Sequence, residues 1–210
     1  LRPVVTEIVR AHQIPNSNAV TDTMIRIMQK PQYEVELYGS AATRAVAHQT
    51  GRQSTVPKAR DLDVMVRNSE EFRKEMITAI NRAANRPVVQ ADKAGGISMK
   101  KTGEKLWDVH DATIDPYKPG SPTSPYAGYG IKLEPRTDIP GGIKAVTLSE
   151  QATRKLSGAM GGVRASPVTL TSPSMTVSGR VVPLHAGRIK DIQGYYSTER
   201  LAISTMEQSG

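Results

Sequence analysis

Two aspartates one residue apart, Asp61 and Asp63, give the clearest chemical signal in this chain of 210 residues. They lie in the run Asp61-Leu62-Asp63-Val64-Met65-Val66, which reads as a strand. Residues two apart in a strand share a face, so the two carboxylates project together while Leu62 and Val64 face the other side. Like charges held this close raise each other's pKa, and a cation between them relieves the repulsion. Hard oxygen donors of this kind suit Mg²⁺ or Mn²⁺.

A second feature is Gly39-Ser40, where a strand with alternating Val35 and Leu37 stops and an Ala-rich helix begins. Glycine lets the backbone come close to a ligand, and the first turn of the following helix offers free N–H groups to an anion. Ser40 adds a hydroxyl donor. Arg44 lies one helical turn further on, placed to reach a phosphate oxygen. A third carboxylate is available from the strand Lys105 to His110, in Trp107-Asp108-Val109-His110-Asp111. Asp108 is preferred because it alternates with Leu106 and His110, and Asp111 is the alternative.

The elements that must hold these residues follow from periodicity. Val4, Val5, Ile8 and Val9 form one face of a first helix, with Pro3 in its first turn. A second helix starts near Asn18 and turns Val20, Met24, Ile27 and Met28 inward. Tyr33 to Tyr38 is a strand, Ala41 to His48 a helix, and residues 49–60 a polar loop. Ser69 caps a helix whose inner face is Phe72, Met76, Ile80 and Ala84. Val88-Val89, Ile97 to Lys101, Ile131 to Leu133 and Ile143 to Leu148 are further strands. A Pro- and Tyr-rich loop covers residues 116–129. A helix runs from Ser149 to about Met160, a hairpin lies across Val168 to Leu184, and a last helix spans about Arg188 to Met206. This order predicts an α+β fold, with a catalytic core over residues 1–148 and a C-terminal helical region over residues 149–210.

Composition narrows the rest. Hydrophobic residues make up 38% and charged residues 23%, which excludes a disordered or collagen-like chain. Aromatics are only 4%, so the core relies on aliphatic side chains and Met. The absence of Cys excludes disulfides, Cys-ligated zinc and thiol catalysis, and suits a reducing compartment. No apolar run is long enough to span a bilayer, so no membrane partner is expected. The net charge of +8 favours polyanionic partners. A chain that begins at Leu1 reads as a processed product or as one domain of a longer protein.

Gly39-Ser40, then Asp61-x-Asp63, then a later strand aspartate resembles the nucleotidyltransferases of the DNA polymerase beta superfamily. Lys101-Thr102-Gly103 is similar to a KxG element, and Ser149 to Leu156, with Lys155, to a Ser…Lys helix. Arg188-Ile189-Lys190-Asp191 followed by Tyr195-Tyr196 is similar to a terminal helix motif. In this order the four motifs resemble the nucleotidyltransferase-like toxins of the AbiEii and MenT type, over Val35 to Ile203. The stretch from Ala41 to Arg60 is longer than the usual pattern.

The resemblance implies a minimal nucleotidyltransferase core and transfer of a nucleoside monophosphate from ATP or another NTP to an acceptor, with release of pyrophosphate. Asp61 and Asp63 would hold the metal on the triphosphate, and with Asp108 a second metal beside the attacking oxygen. Asp108 would also draw the acceptor's proton. Ser40, Arg44 and Lys155 would grip phosphates, with Lys101 in support and Asp191 holding Lys155 or the last helix. RNA such as tRNA, or a protein hydroxyl, is the implied acceptor. A cytoplasmic toxin or an effector domain, with an antitoxin or a larger parent protein, is the implied setting. The competing readings are a nucleotide-binding module without turnover and a protein-interaction domain. The scattered His48, His110 and His185 read as structural or surface residues.

Overall fold

The computed structural model describes residues 1–111, 136–139, 141–146, 174–177 and 180–183. The chain divides into two compact units. One comprises Leu1–Ile114 with Arg136–Thr147, the other Asp115–Pro135 with Leu148–Gly210. The expected core over residues 1–148 therefore differs from the first unit by the stretch Asp115–Pro135 and by Leu148. In the second unit the described residues form a hairpin, Ser174–Val177 against Arg180–Pro183. The expected strand Ile131 to Leu133 and the helices containing Lys155 and Asp191 lie outside the described residues, as do His185 and the Tyr-rich loop.

The first unit is α+β. Its helices are α1 (Arg2–Ala11), α2 (Ser17–Met28), α3 (Gly39–Gln49) and α4 (Ser69–Ala83). Its strands are β1 (Glu36–Tyr38), β2 (Leu62–Val66), β3 (Val89–Ala91), β4 (Ile97–Met99), β5 (Lys105–Asp111), β6 (Arg136–Ile139) and β7 (Ile143–Val146). They form one mixed sheet in the order β3-β4-β5-β2-β1-β7-β6. β2 runs antiparallel to β1 and parallel to β5, and β1 runs parallel to β7. Among the described residues no helix is long and apolar enough to cross a membrane.

The sheet has two unlike faces, and alternation separates them. Leu37, Leu62, Val64, Val66, Trp107 and Val109 share one face, each no more than 7% exposed. Phe72, Met76 and Ile80 of α4 are wholly buried, and the Phe72 ring meets Trp107 edge-on at 5.6 Å. Tyr33 closes the cluster edge-on to Phe72 at 5.2 Å. α1 and α2 add Val4, Val5, Ile8, Val20 and Met24, all at 0% exposure. Burial on this scale, at about 25 cal/mol per Å² of apolar surface, anchors the sheet from one side. The other face carries Glu36, Tyr38, Asp63, Asp108 and His110.

β1 is shorter than the expected strand from Tyr33. Pro31–Tyr33 form a 3₁₀ turn, and Glu34 at φ 40° breaks the extended path. Asn68, in the left-handed region, occupies the N-cap of α4, so Ser69 is its first helical residue.

Candidate active site

β1 ends at Tyr38 and the chain turns straight into α3 at Gly39. The turn needs φ +66° at Gly39, which an L side chain adopts only with strain. Space imposes the same choice. A Cβ at Gly39 would lie 2.8 Å from Cγ of Asp63 and overlap its Oδ2. The Asp63 carboxylate therefore lies against bare backbone at the bend. Tyr38, the N-cap of α3, supplies no side-chain cap to the first N–H groups, and Ser40 in this turn is exposed.

The carboxylates are aligned by register. Tyr38 pairs with Asp63, and Asp63 pairs with Asp108, so three neighbouring strands put these residues in one row on one face. Asp61 lies in the bend just ahead of β2, within the electrostatic reach of Lys105, and both Asp61 and Asp63 are partly buried. Asp111 has the opposite parity from Asp108. Its Oδ2 accepts a hydrogen bond of 3.1 Å from Ser69 Oγ at the start of α4. Of the two alternatives, Asp108 is the one in the row with Asp63.

Two cationic or cation-forming groups attend Asp108. Lys105 Nζ lies 3.1 Å from Oδ2, and His110 Nε2 lies 3.4 Å from Oδ1. The His110 hydrogen bond, followed by that of Lys105, overcomes the opposing effect of burial and holds the Asp108 pKa at about 2. The Lys105 ammonium is shifted the other way. Burial acts to lower its pKa, but the Asp108 hydrogen bond and the fields of Asp108, Asp92 and Asp61 outweigh that and raise it. The His110 ring also packs edge-on to Tyr38, 5.7 Å between centroids.

Neither Lys105 nor His110 was assigned to the site from sequence. For His110 the signal was present, since it shares a strand face with Asp108. For Lys105 it was hidden, because residues three apart in a regular strand face opposite ways. A β-bulge changes this. Ile97 pairs with Trp107 but Ser98 pairs with Lys105, so Leu106 is an extra residue in β5. The insertion turns Lys105 to the side opposite Trp107, which is the side of Asp108.

Arg44 requires a correction. Its side chain is 5% exposed and points into the protein instead of towards a phosphate. Nε and Nη2 donate to the Glu7 carboxylate at 3.0 and 2.8 Å. Nη1 donates to the carbonyls of Gln53 and Val56, the latter at 3.1 Å. His48 Nε2 adds a contact of 3.1 Å to Glu7. Bonding from Arg44, reinforced by His48, holds Glu7 below the usual glutamate range. The group ties the loop over residues 50–60 to α1, and so fixes the approach to Asp61.

Lys101 lies in the turn between β4 and β5 and is exposed. It lines a cleft of about 420 Å³ together with His12, Arg86, Lys100 and Glu104. Arg86, Lys100 and Lys101 form no ion pair among the described residues. Asp61, Asp63 and Asp108 do not line this cleft, and its wall meets their segments only through neighbours. His12 Nε2 is 2.9 Å from the carbonyl oxygen of Arg60, which precedes Asp61, and Glu104 precedes Lys105.

Among the described residues no group of three or more His, Asp or Glu side chains is drawn together as metal ligands. Two hard oxygen donors, Asp63 and Asp108, are register neighbours, and an ammonium lies on Asp108 in the field of Asp61. No model of a known family matches the chain, and no curated protein matches it.

Proposed function

We propose that this chain is a metal-dependent nucleotidyltransferase that moves a nucleoside monophosphate from an NTP to a hydroxyl of RNA. The observation that carries the reading is the row Tyr38, Asp63, Asp108 across three strands, with the Gly39 bend closed onto Asp63. Three carboxylates beside a helix start that Tyr38 does not cap can serve two needs of phosphoryl chemistry. The carboxylates hold divalent cations, and the helix N–H groups with the Ser40 hydroxyl receive phosphate oxygens.

In this reading Asp61, Asp63 and Asp108 would hold Mg²⁺ or Mn²⁺, which would supply neutralisation of triphosphate charge and acidify the acceptor hydroxyl. The acceptor oxygen bonds to the α-phosphorus, the bond to the bridging oxygen breaks, and pyrophosphate leaves. The proton of the acceptor hydroxyl passes to Asp108, the role the motif resemblance implies for it, and from there to solvent. Lys155 and Asp191 keep the phosphate-gripping and supporting roles that the motif resemblance implies. A toxin or effector setting, acting in the cytoplasm with an antitoxin or parent protein, belongs to the same proposal.

RNA is favoured over a protein hydroxyl because Arg86, Lys100 and Lys101, which form no ion pair among the described residues, line one cleft. Cations gathered in one cleft suit the backbone phosphates of a nucleic acid. The test is incubation with each labelled NTP, Mg²⁺ and total RNA or cell lysate, alongside the Asp61→Ala, Asp63→Ala double variant. Label in a discrete RNA band with wild type alone is the expected result. Removing these charges should cost at least about a hundredfold in rate, the scale of a single lost electrostatic donor. Label in a protein band would replace the acceptor, and no label with any NTP would end the reading.

A further inference from the structure

The bulge inserts Leu106 into β5. Leu106 and Trp107 are both at 0% exposure, so the insertion costs no burial. Its effect is to turn Lys105 from the helix-packed face to the carboxylate face, onto Asp108 at 3.1 Å. Bulges beside reacting centres commonly re-aim one side chain in this way. The Lys105 side chain is 36% exposed and Asp108 27%, so the pair is neither sealed in the core nor fully solvated. A long flexible ammonium at such a half-open position can leave one anion for another.

We propose that Lys105 is a phosphate-binding residue of the site, held by Asp108 in the ligand-free protein and released to the triphosphate when Asp108 takes up metal. The inference rests on the nucleotidyltransferase reading and adds a residue that neither motif nor alternation assigned. Its logic is charge exchange. Without metal, the ammonium is the strong cation on Asp108 among the described residues and offsets the repulsion among the carboxylates. A divalent cation on the same oxygens removes its partner. The nearest new anions are then the phosphates that arrive with the metal. Lys105 thus competes with free metal and cooperates with metal–nucleotide, and these two effects have opposite signs.

The test reads binding in the absence of turnover. Mn²⁺ affinity is measured by electron paramagnetic resonance on the protein alone. Affinity for a non-hydrolysable NTP analogue with Mg²⁺ is measured by calorimetry. Lys105→Met should tighten Mn²⁺ by about fivefold and weaken the Mg²⁺–analogue by about tenfold, near the worth of one charge-assisted contact. Lys105→Arg should restore analogue binding. Lys105→Gln, with a polar tip of similar reach, guards against disturbance of the bulge by the methionine. Lys93→Met, on an exposed lysine outside the row, controls for net charge. If Lys105→Met matches Lys93→Met in both measurements, or both affinities move the same way, the inference falls while the functional reading stands. If wild type binds neither Mn²⁺ nor analogue, both fall together.

Discussion

Gly39 is defined by what Asp63 occupies. The residue combines φ +66° with a Cβ position already filled by a carboxylate oxygen, so two independent penalties meet at one atom. Gly39→Ala should lower stability by about 1–3 kcal/mol through the backbone term alone and should also push Asp63 out of its row. Urea unfolding measures the first effect. Loss of Mg²⁺-dependent nucleotide binding measures the second, and an alanine variant with wild-type binding would mean the row tolerates displacement. At this scale the site was legible only where geometry is regular. The shared face of Asp63 and Asp108 is readable because strand alternation is a fixed period. Lys105 was not, since an inserted residue reverses the parity and leaves no mark in Lys105-Leu106-Trp107. Arg44 was misjudged for a different reason. Helical spacing gave its position in α3, but Glu7, which claims it, is 37 positions earlier in the chain.

At the scale of elements, the loop between α3 and β2 is held by that same arginine. Its guanidinium binds Glu7 on α1 and two loop carbonyls, so one buried cation joins three segments. Glu7→Ala would leave Arg44 buried without its counter-charge, at a cost of about 3 kcal/mol. Trypsin should then cut faster at Arg52, Lys58 or Arg60. Cleavage at the wild-type rate would show that the loop is held by other contacts. The other elements show why patterns work unevenly. α1, α2 and α4 were plain because each turns a continuous apolar stripe inward. β6 was missed because Arg136-Thr137-Asp138-Ile139 is mostly polar. It is an edge strand with pairing on one side only, so it carries little of the apolar signal of a central strand. β1 was overextended because Tyr33 and Val35 have strand-forming side chains, while the preceding Pro31 sets a tight turn.

For the whole molecule, net charge and topology are the properties that matter. The excess of +8 is spread through the sequence, and only the fold gathers Arg86, Lys100 and Lys101 around one cleft. If RNA lies there, affinity should fall steeply with salt. Replacing all three by Ser should flatten the plot of log affinity against log salt by about 2, at about 0.7 per lost single-strand contact. Fluorescence anisotropy over a salt series measures this slope, and an unchanged slope would place the RNA elsewhere. The sheet order has a further consequence, for biosynthesis. β1 lies between β2 and β7, yet about 100 residues separate Tyr38 from Ile143. During translation at about 5–20 residues per second, the nascent chain waits roughly 5–20 s between making β1 and making its parallel neighbour. Throughout that interval one side of β1 is an unzipped seam of amides, so a ribosome paused after Val66 displays a half-built sheet to holdase chaperones and to other nascent chains.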